Sequence, residues 1–278
     1  MWYEFTDSSG ARVQLPAAPQ RVAVLFSSFA DIWVTAGGKV SITVGESVER
    51  GFADSSAVLV DDGAGKKIDT EALIAANPDF VLYSADIPAQ AACATLLMQA
   101  GIPCAQFRVE SFSDYLTLLK ICTDITGRTD AYETHGTALA LQINTFLANK
   151  PFNGKRILFV RAGSSARSVK AKNSADNFAC AMLAELGAEN IADTAPALLD
   201  ELSVEAILQS DPDHIFFTSM GDEAAAQAYV REMLTEDTWA SLRAVKNNNV
   251  TFLPKTLFHY KPNARWAEAY DYLIERTE

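Results

Sequence analysis

The chain has 278 residues, and its 23 Lys and Arg residues against 35 Asp and Glu residues leave a net charge of −12. A protein with a net negative charge repels a phosphate backbone, which argues against nucleic acid as a partner. Apolar residues make up 49% of the chain, yet no apolar run approaches the roughly 18 residues that a membrane-spanning helix needs, so we expect no membrane span.

The first half of the chain alternates strands with helices. A turn-rich start predicts a short hairpin, and Ser27 or Ser28 is suited to cap the helix that follows the first buried strand. Strands are predicted at Val22–Phe26, Ile42–Val44, Phe80–Tyr83 and Ala105–Val109. This alternation indicates a mostly parallel sheet that is covered on both faces.

The alternation of strands and helices stops at Thr129. Residues 129–149 contain no Pro and one Gly and carry an apolar face. They predict one helix of about 30 Å. A second α/β set follows, with strands at Arg156–Val160, His214–Ser219 and Val250–Leu253 and helices at Ala175–Leu186, Glu223–Leu234 and Ala264–Arg276. The predicted fold class is therefore α/β, with an N-terminal lobe (1–128), an interlobe helix (129–150) and a C-terminal lobe (151–278).

An 18-residue stretch occurs twice. Residues 68–85 (IDTEALIAANPDFVLYSA) and 202–219 (LSVEAILQSDPDHIFFTS) lie 134 positions apart. In each copy an N-cap, Asp69 or Ser203, precedes a short helix, a Pro-Asp break and a buried strand. We expect the lobes to be related by a pseudo-twofold. The identical pairs are Glu71/Glu205, Ala72/Ala206, Pro78/Pro212 and Asp79/Asp213.

The order of these motifs resembles the helical-backbone substrate-binding proteins of bacterial ABC importers, the receptors for ferric siderophores, haem and cobalamin. The motifs are RVAVLFSSFADIW after a hairpin, the twins EALIAANPDFVLYS and EAILQSDPDHIFFT, a helix between the lobes, and MLAELGAENIAD in the second lobe. The resemblance covers essentially the whole chain. It implies two Rossmann-like α/β lobes, a ligand cleft between them and a stiff interlobe helix, and we expect a monomer.

The resemblance also gives the repeat a function. In that family each lobe presents a surface glutamate to basic residues of one of two permease subunits, and Glu71 and Glu205 occupy the matching positions. An ABC permease dimer is therefore the implied partner. Alternatively, both glutamates only favour a helix N-terminus, where a negative side chain contributes about 0.3–1 kcal/mol. The two explanations are compatible.

Ligands of such folds meet the loops at the carboxyl ends of the strands. In the first lobe residues 46–50 and Asp86 lie at these ends, and in the second lobe Ser219, Met220 and Lys255 do. The residues that we predict to bind the ligand are Ser27, Ser28, Trp33, Tyr83, Arg108, Arg161, Ser164, Ser165, Arg167, Lys170, Lys172, His259 and Tyr260.

The stretch VRAGSSARSVKAKNSADNF is the most informative of these. It places Arg161, Arg167, Lys170 and Lys172 within twelve residues of an otherwise acidic protein. Arg and Lys hold anions by charge-assisted hydrogen bonds, so the stretch predicts an anionic ligand such as a ferric catecholate or carboxylate siderophore, or haem propionates. The alternative is a solvated basic loop.

The stretch KTLFHYKPNARW places His259 and Tyr260 in a loop after a strand. Imidazole or phenolate could ligate iron, but aromatic contact with a ligand is the favoured interpretation. His135, on the interlobe helix, and His214, at the start of a strand, are interpreted as structural. Bound haem would need an axial ligand, for which Tyr83, His259 and Tyr260 are the candidates.

Other classes of function find little support. No catalytic or phosphate-binding motif occurs, so we expect no enzyme and no catalytic cofactor. The alternatives are a haem or cobalamin receptor of the same fold and, less favoured, a bilobal metal-cluster enzyme. The cysteines form no C-x-x-C and no zinc-like cluster, which indicates buried free thiols or one disulfide such as Cys93–Cys104. The four cysteines are Cys93, Cys104, Cys122 and Cys180.

The first five residues lack the basic start and apolar core of a signal peptide. The sequence alone is also compatible with a cytoplasmic protein. With the resemblance we expect an extracytoplasmic receptor, either periplasmic or a membrane-anchored lipoprotein, whose export segment is missing from this sequence.

Overall fold

The structure is a computed structural model that describes residues 1–63 and 66–276. The chain divides into two compact units, Met1–Leu139 and Ala140–Glu278, and each contains its own parallel sheet. Within the described ranges, no helix has both the length and the apolar character that crossing a bilayer requires.

The first unit begins with the predicted hairpin and continues into a five-stranded sheet. The sheet order is β5-β4-β3-β6-β7, and every neighbouring pair is parallel. The strands are β1 (Tyr3–Thr6), β2 (Arg12–Leu15), β3 (Val22–Val24), β4 (Ile42–Thr43), β5 (Val58–Leu59), β6 (Phe80–Ser84) and β7 (Cys104–Phe107).

Helices connect these strands. Ser111 caps one of them in a capping box with Asp114, and Gly127 ends it in a left-handed conformation. The helices are α1 (Ser27–Thr35), α2 (Gly45–Glu49), α3 (Thr70–Ala75), α4 (Pro88–Gln99), α5 (Phe112–Thr126), α6 (Thr129–Tyr132) and α7 (Ala138–Asn149).

The predicted long helix is present and contains one irregular turn. Residues 129–149 are helical throughout, but Glu133–Thr137 form a π-helical turn between α6 and α7. The turn packs on α5, where the Tyr115 hydroxyl donates to the carbonyl of His135 at 3.0 Å. The wider turn therefore brings a backbone acceptor to a buried phenol.

The second unit also contains a five-stranded sheet, with four parallel strands. Its parallel order is β10-β8-β11-β12, and the short strand β9 pairs antiparallel with the carboxyl half of β8. The strands are β8 (Arg156–Ala162), β9 (Lys170–Ala171), β10 (Glu189–Asn190), β11 (His214–Ser219) and β12 (Val250–Phe252).

Nine helices accompany these strands in the described part of this unit. Helix α8 begins three residues later than predicted, because Asn177 caps it by accepting from the backbone N–H groups of Ala179 and Cys180. The helices are α8 (Phe178–Glu185), α9 (Ile191–Thr194), α10 (Ala197–Asp200), α11 (Val204–Ser210), α12 (Glu223–Met233), α13 (Asp237–Ala240), α14 (Arg243–Lys246), α15 (Lys255–Phe258) and α16 (Trp266–Ile274).

These topologies position the candidate site. In each unit the strand order reverses at the central pair, β3 and β6 or β8 and β11. Open α/β sheets bind ligands outside the carboxyl ends of the strands at such a reversal. The predicted α/β fold class is confirmed, and a ligand site is expected at the carboxyl edge of the sheets.

Candidate functional site

The repeated stretch forms the same helix–strand unit twice. Asp69 caps α3 by accepting from the backbone N–H of Ala72 at 2.9 Å, and Ser203 caps α11 by accepting from that of Ala206 at 3.4 Å. Helix α3 leads into β6, and α11 leads into β11. The local pattern of caps and breaks thus predicts both copies correctly.

The repeated Pro-Asp has a structural role in both copies. The carboxylate of Asp79 accepts from the backbone N–H of Arg21 at 2.9 Å, and that of Asp213 accepts from the backbone N–H of Arg156 at 2.9 Å. Both N–H groups lie at the start of the neighbouring central strand. The two aspartates therefore fasten equivalent strand starts.

The repeated glutamates make no such contact. Glu71 and Glu205 are exposed in the first turns of α3 and α11. In the described part of the chain neither carboxylate has a hydrogen bond or an ion pair. Internal packing therefore explains the identical aspartates, but it does not explain the identical glutamates.

In the first unit a polar cluster lies at the carboxyl ends of β3 and β4. Ser27 is fully buried, donates to the carboxylate of Glu46 at 2.5 Å and accepts from the Arg50 guanidinium at 2.8 Å. The same guanidinium lies 3.4 Å from the hydroxyl of Ser28. The prediction that a serine caps α1 is wrong, since Phe26 is the N-cap residue and no side chain caps this helix.

Arg50, like Glu46, was not among the predicted ligand-binding residues. It follows the short helix α2, whose five residues show no usable periodicity. The available signal was its place after the strand β4, within the stretch 46–50. A buried serine that bridges a carboxylate and a guanidinium gives this edge a fixed pattern of donors and acceptors.

Arg108 lies at the same edge, but its charge is paired with a carboxylate. Its guanidinium pairs with Asp86 at 2.8 Å, and both side chains are exposed. Asp86 follows β6 and Arg108 follows β7, so neighbouring strand ends bring them together. An exposed pair of this kind contributes little to stability and can exchange its partner for a ligand.

Two predicted residues of the first unit belong to its interior. Tyr83 is 6% exposed and packs in the core with Cys93 and Leu97 of α4. Burial raises the pKa of Tyr83 to about 12, which disfavours the phenolate that iron ligation needs. Tyr83 is therefore a core residue at a strand end.

Trp33 lies away from the carboxyl edge. Its indole N–H donates to the carbonyl of Lys39 at 3.0 Å, and its ring lines a cavity of about 410 Å³ together with Pro19 and Lys39. Pro19 precedes β3 and Lys39 precedes β4, so the cavity lies at the amino ends of the strands. The expected position of Trp33 at the carboxyl edge is wrong, because α1 carries it back along the sheet.

In the second unit the basic stretch folds into a hairpin at the carboxyl end of β8. Arg161 of β8 and Lys170 of β9 are partners in the antiparallel register. Side chains of such partners project on the same face of a sheet. The turn is tight at Gly163, where a Cβ atom would lie 2.2 Å from the hydroxyl oxygen of Ser168.

Most cations of this hairpin lack a carboxylate partner. Lys172 pairs with Asp176 at 2.8 Å. In contrast, Arg161, Arg167 and Lys170 form no ion pair within residues 1–63 and 66–276. The Nε atom of Arg161 is also buried without a hydrogen-bond acceptor. Native buried donors are nearly always satisfied, so this donor makes Arg161 a candidate for contact with a ligand.

The serines of the hairpin lie in its turn. Ser164 and Ser165 are exposed, and the carbonyl of Ser165 accepts from the hydroxyl of Ser168 at 2.9 Å. The backbone N–H of Met220 donates to the carbonyl of Ala162 at 2.8 Å. The hairpin therefore starts beside the carboxyl end of β11.

His259 and Tyr260 follow a helical turn rather than a plain loop, since α15 intervenes after β12. His259 is exposed and Tyr260 is half-buried, with ring centroids 5.2 Å apart. The ammonium of Lys255 lies 5.7 Å from the Tyr260 ring and donates to the carbonyl of Gly221 at 3.1 Å. This segment thus lies beside the carboxyl end of β11.

His214 and the cysteines occupy structural positions. His214 is 6% exposed and its Nε2 lies 2.8 Å from the Thr251 hydroxyl, and burial lowers its pKa to about 4. All four cysteines are free thiols, and burial raises the pKa of Cys104 to about 11. Among the described residues, no group of three or more His, Cys, Asp or Glu side chains could hold a metal ion.

Comparison with known proteins agrees with this fold. The family model described as periplasmic binding protein matches residues 22–257. The chain therefore belongs to the periplasmic binding protein family. A search of curated proteins found no match.

Solved structures share the architecture at low sequence identity. Staphylococcus aureus SirA, complexed with staphyloferrin B, is 19% identical with a TM-score of 0.70, and the match covers 99% of this chain and 96% of SirA. The catecholate-siderophore binding protein VctP from Vibrio cholerae is 13% identical with a TM-score of 0.76, covering 99% and 98%. The haem-binding protein RhuT from Roseiflexus sp. RS-1 is 16% identical with a TM-score of 0.68, covering 93% and 97%. Likeness at these identities establishes the fold alone.

Proposed function

We propose that this protein is the extracytoplasmic receptor of an ABC importer, and that it captures an anionic ferric siderophore. The observation that carries the proposal is Arg161, a cation at the carboxyl end of a central strand with a buried and unsatisfied donor. The structural relatives support the class of ligand, because SirA and VctP are siderophore-binding proteins.

The electrostatics of the hairpin favour an anion over a neutral ligand. A buried donor without an acceptor costs about 1–3 kcal/mol, and a charge-assisted hydrogen bond contributes about 1.5–3 kcal/mol. A catecholate or carboxylate oxygen that accepts from Arg161 removes the cost of the unsatisfied donor and adds the contribution of a charge-assisted hydrogen bond. Arg167 and Lys170, exposed on the same hairpin, add attraction for a multiply charged complex.

The aromatic pair His259 and Tyr260 suits contact with the ligand better than ligation of iron. Both rings follow α15 and lie near the end of β11, as Lys255 does. Iron in a siderophore is already coordinated, so the protein needs to recognise the shell of the complex rather than the metal. A haem would instead need an axial ligand, and the interior position of Tyr83 removes one candidate.

We propose further that Glu71 and Glu205 dock onto the two permease subunits. Both are exposed, both occupy the second helical position of the duplicated unit, and neither carboxylate has an internal partner in the described chain. A side chain that is free on the surface in both copies is suited to a partner that also has two equivalent subunits. We take residues 1–128 and 151–278 as the two lobes and 129–150 as the connecting helix.

The double variant Glu71→Gln with Glu205→Gln tests the docking role. We expect ligand affinity to stay within about twofold and cellular uptake of radioiron to fall by about tenfold or more, because an exposed carboxylate at an interface governs association. Glu223→Gln is the matched control, since Glu223 also lies in the first turn of a helix in the second unit. Normal uptake with a small loss of stability would leave only the helix-terminus explanation.

A further inference from the structure

A cavity of about 370 Å³ lies within the second unit, beside the basic hairpin. Arg167 and Lys170 of the hairpin form one side, and residues of α12, of α13 and of the segment 200–204 form the others. Arg161 is not among the described residues that line it. Small-molecule sites have volumes of about 300–1,000 Å³, so this cavity has room for one small ligand. We call it the hairpin pocket.

The inner wall of the hairpin pocket is the edge of the core of this unit. Trp239 and Met233 are 2% and 8% exposed and belong to that core. Leu202, Val204 and Tyr229 are half-buried, pack against the same core and also line the pocket. A ligand with a large apolar group would therefore remove apolar surface from water here.

Charged side chains of both signs also line the hairpin pocket. Two are cations and three are carboxylates: Arg167, Lys170, Asp200, Glu201 and Glu236. All five are exposed, and within residues 1–63 and 66–276 none of them forms an ion pair. The two signs of charge therefore share one cavity without compensating each other. A ligand that carries one ammonium and one carboxylate can pair with both sets, whereas a simple anion or cation is attracted by one set and repelled by the other.

We propose that the hairpin pocket binds a free α-amino acid with a large apolar side chain. The carboxylate of the amino acid pairs with Arg167 and Lys170. Its ammonium pairs with Glu201 and Glu236, and its side chain lies against Trp239. The volume of the pocket is near the lower end of the range for small-molecule sites, which suits one amino acid better than a peptide. Binding of the amino acid requires neither a ferric ligand nor a permease, so it is independent of the proposed function.

Four probes test the pocket by NMR spectroscopy at about pH 6, where their amino groups are protonated. The readout is the indole N–H resonance of Trp239, assigned with Trp239→Phe. L-Phenylalanine carries both charges, its amide carries only the ammonium, and 3-phenylpropionate carries only the carboxylate. L-Alanine carries both charges but no large apolar group. We expect phenylalanine to shift the resonance with millimolar or better affinity, and each of the other three probes to bind at least about fivefold more weakly.

Variants that remove charge assign the two ends of the ligand. Glu201→Gln with Glu236→Gln should weaken phenylalanine by about three- to tenfold and leave 3-phenylpropionate no weaker. Arg167→Gln with Lys170→Gln should weaken phenylalanine to a similar extent and leave the amide no weaker. Glu232→Gln is the matched control, because Glu232 is an exposed acid of α12 outside the pocket lining, and it should bind phenylalanine as the unmodified protein does.

Three results would overturn the amino-acid site. Equal binding of phenylalanine, its amide and 3-phenylpropionate would mean that the pocket recognises the ring alone. Equal weakening of phenylalanine by Glu232→Gln would mean that net charge, rather than the carboxylates of the pocket, governs the affinity. A Trp239 resonance that does not move with phenylalanine would mean that the pocket does not take this class of ligand.

Discussion

Replacing Arg161 by Met should change stability and ligand affinity in opposite directions. Arg161 has a buried Nε atom without an acceptor, and its guanidinium has no ion-pair partner among residues 1–63 and 66–276. Met keeps an unbranched apolar stem of similar length and removes the unsatisfied donor. We therefore expect the free energy of unfolding of the second unit to rise by about 1 kcal/mol.

Ligand affinity should fall at the same time. A charge-assisted hydrogen bond contributes about 1.5–3 kcal/mol, which corresponds to an affinity loss of roughly 10- to 150-fold. Urea denaturation of the free protein and equilibrium dialysis with a ferric tris-catecholate measure the two quantities. Arg12→Met controls for the lost charge, because Arg12 pairs with Glu4 on the exposed hairpin. A destabilised Arg161→Met, or one with undiminished affinity, would refute the reasoning.

Three further changes test other parts of the structure. Gly38→Ala should destabilise the first unit by about 1–3 kcal/mol, because the new Cβ would lie 2.2 Å from the Trp33 ring, and adding Trp33→Phe should restore part of the loss in a double-mutant cycle. Burial lowers the pKa of His214 from 6.5 to about 4, so the unfolded chain binds the proton first as the pH falls. The free energy of unfolding should be highest above pH 6.5 and decrease by up to about 3 kcal/mol towards pH 4. Urea titrations at several pH values measure this dependence, and His214→Gln should flatten it. Gly163→Ala should displace the hairpin, since its Cβ would lie 2.2 Å from the Ser168 hydroxyl, and dialysis should show about tenfold weaker ligand binding with little change in stability.

Local signals in the sequence predict the regular part of the fold. The caps Asp69, Ser203 and Ser111 and the left-handed Gly127 act within one helical turn, so the sequence near each of them is enough to predict a boundary. The repeat places α3 and α11 before their strands for the same reason. Single-turn helices such as α15 were missed, because four residues are too few to show a helical period.

The candidate site was harder to predict, since its contacts join residues that are distant in sequence. The contact of Arg50 with Ser27 depends on the parallel pairing of β3 with β4, and no local pattern reports it. Trp33 illustrates the opposite error: it is close in sequence to the end of β3, but α1 returns it to the amino ends of the strands. The basic hairpin was easier to predict, because a cluster of basic residues in an acidic chain is visible in the sequence itself.

One titration tests the central claim most directly. The protein is dialysed against a ferric tris-catecholate, a ferric tris-hydroxamate, haem and cobalamin, and bound ligand is counted. We expect an anionic ferric complex to bind with submicromolar affinity, and Arg161→Met to weaken that complex selectively. Absence of binding across the panel would contradict receptor function, and tight binding of cobalamin with no effect of Arg161→Met would contradict the proposed class of ligand.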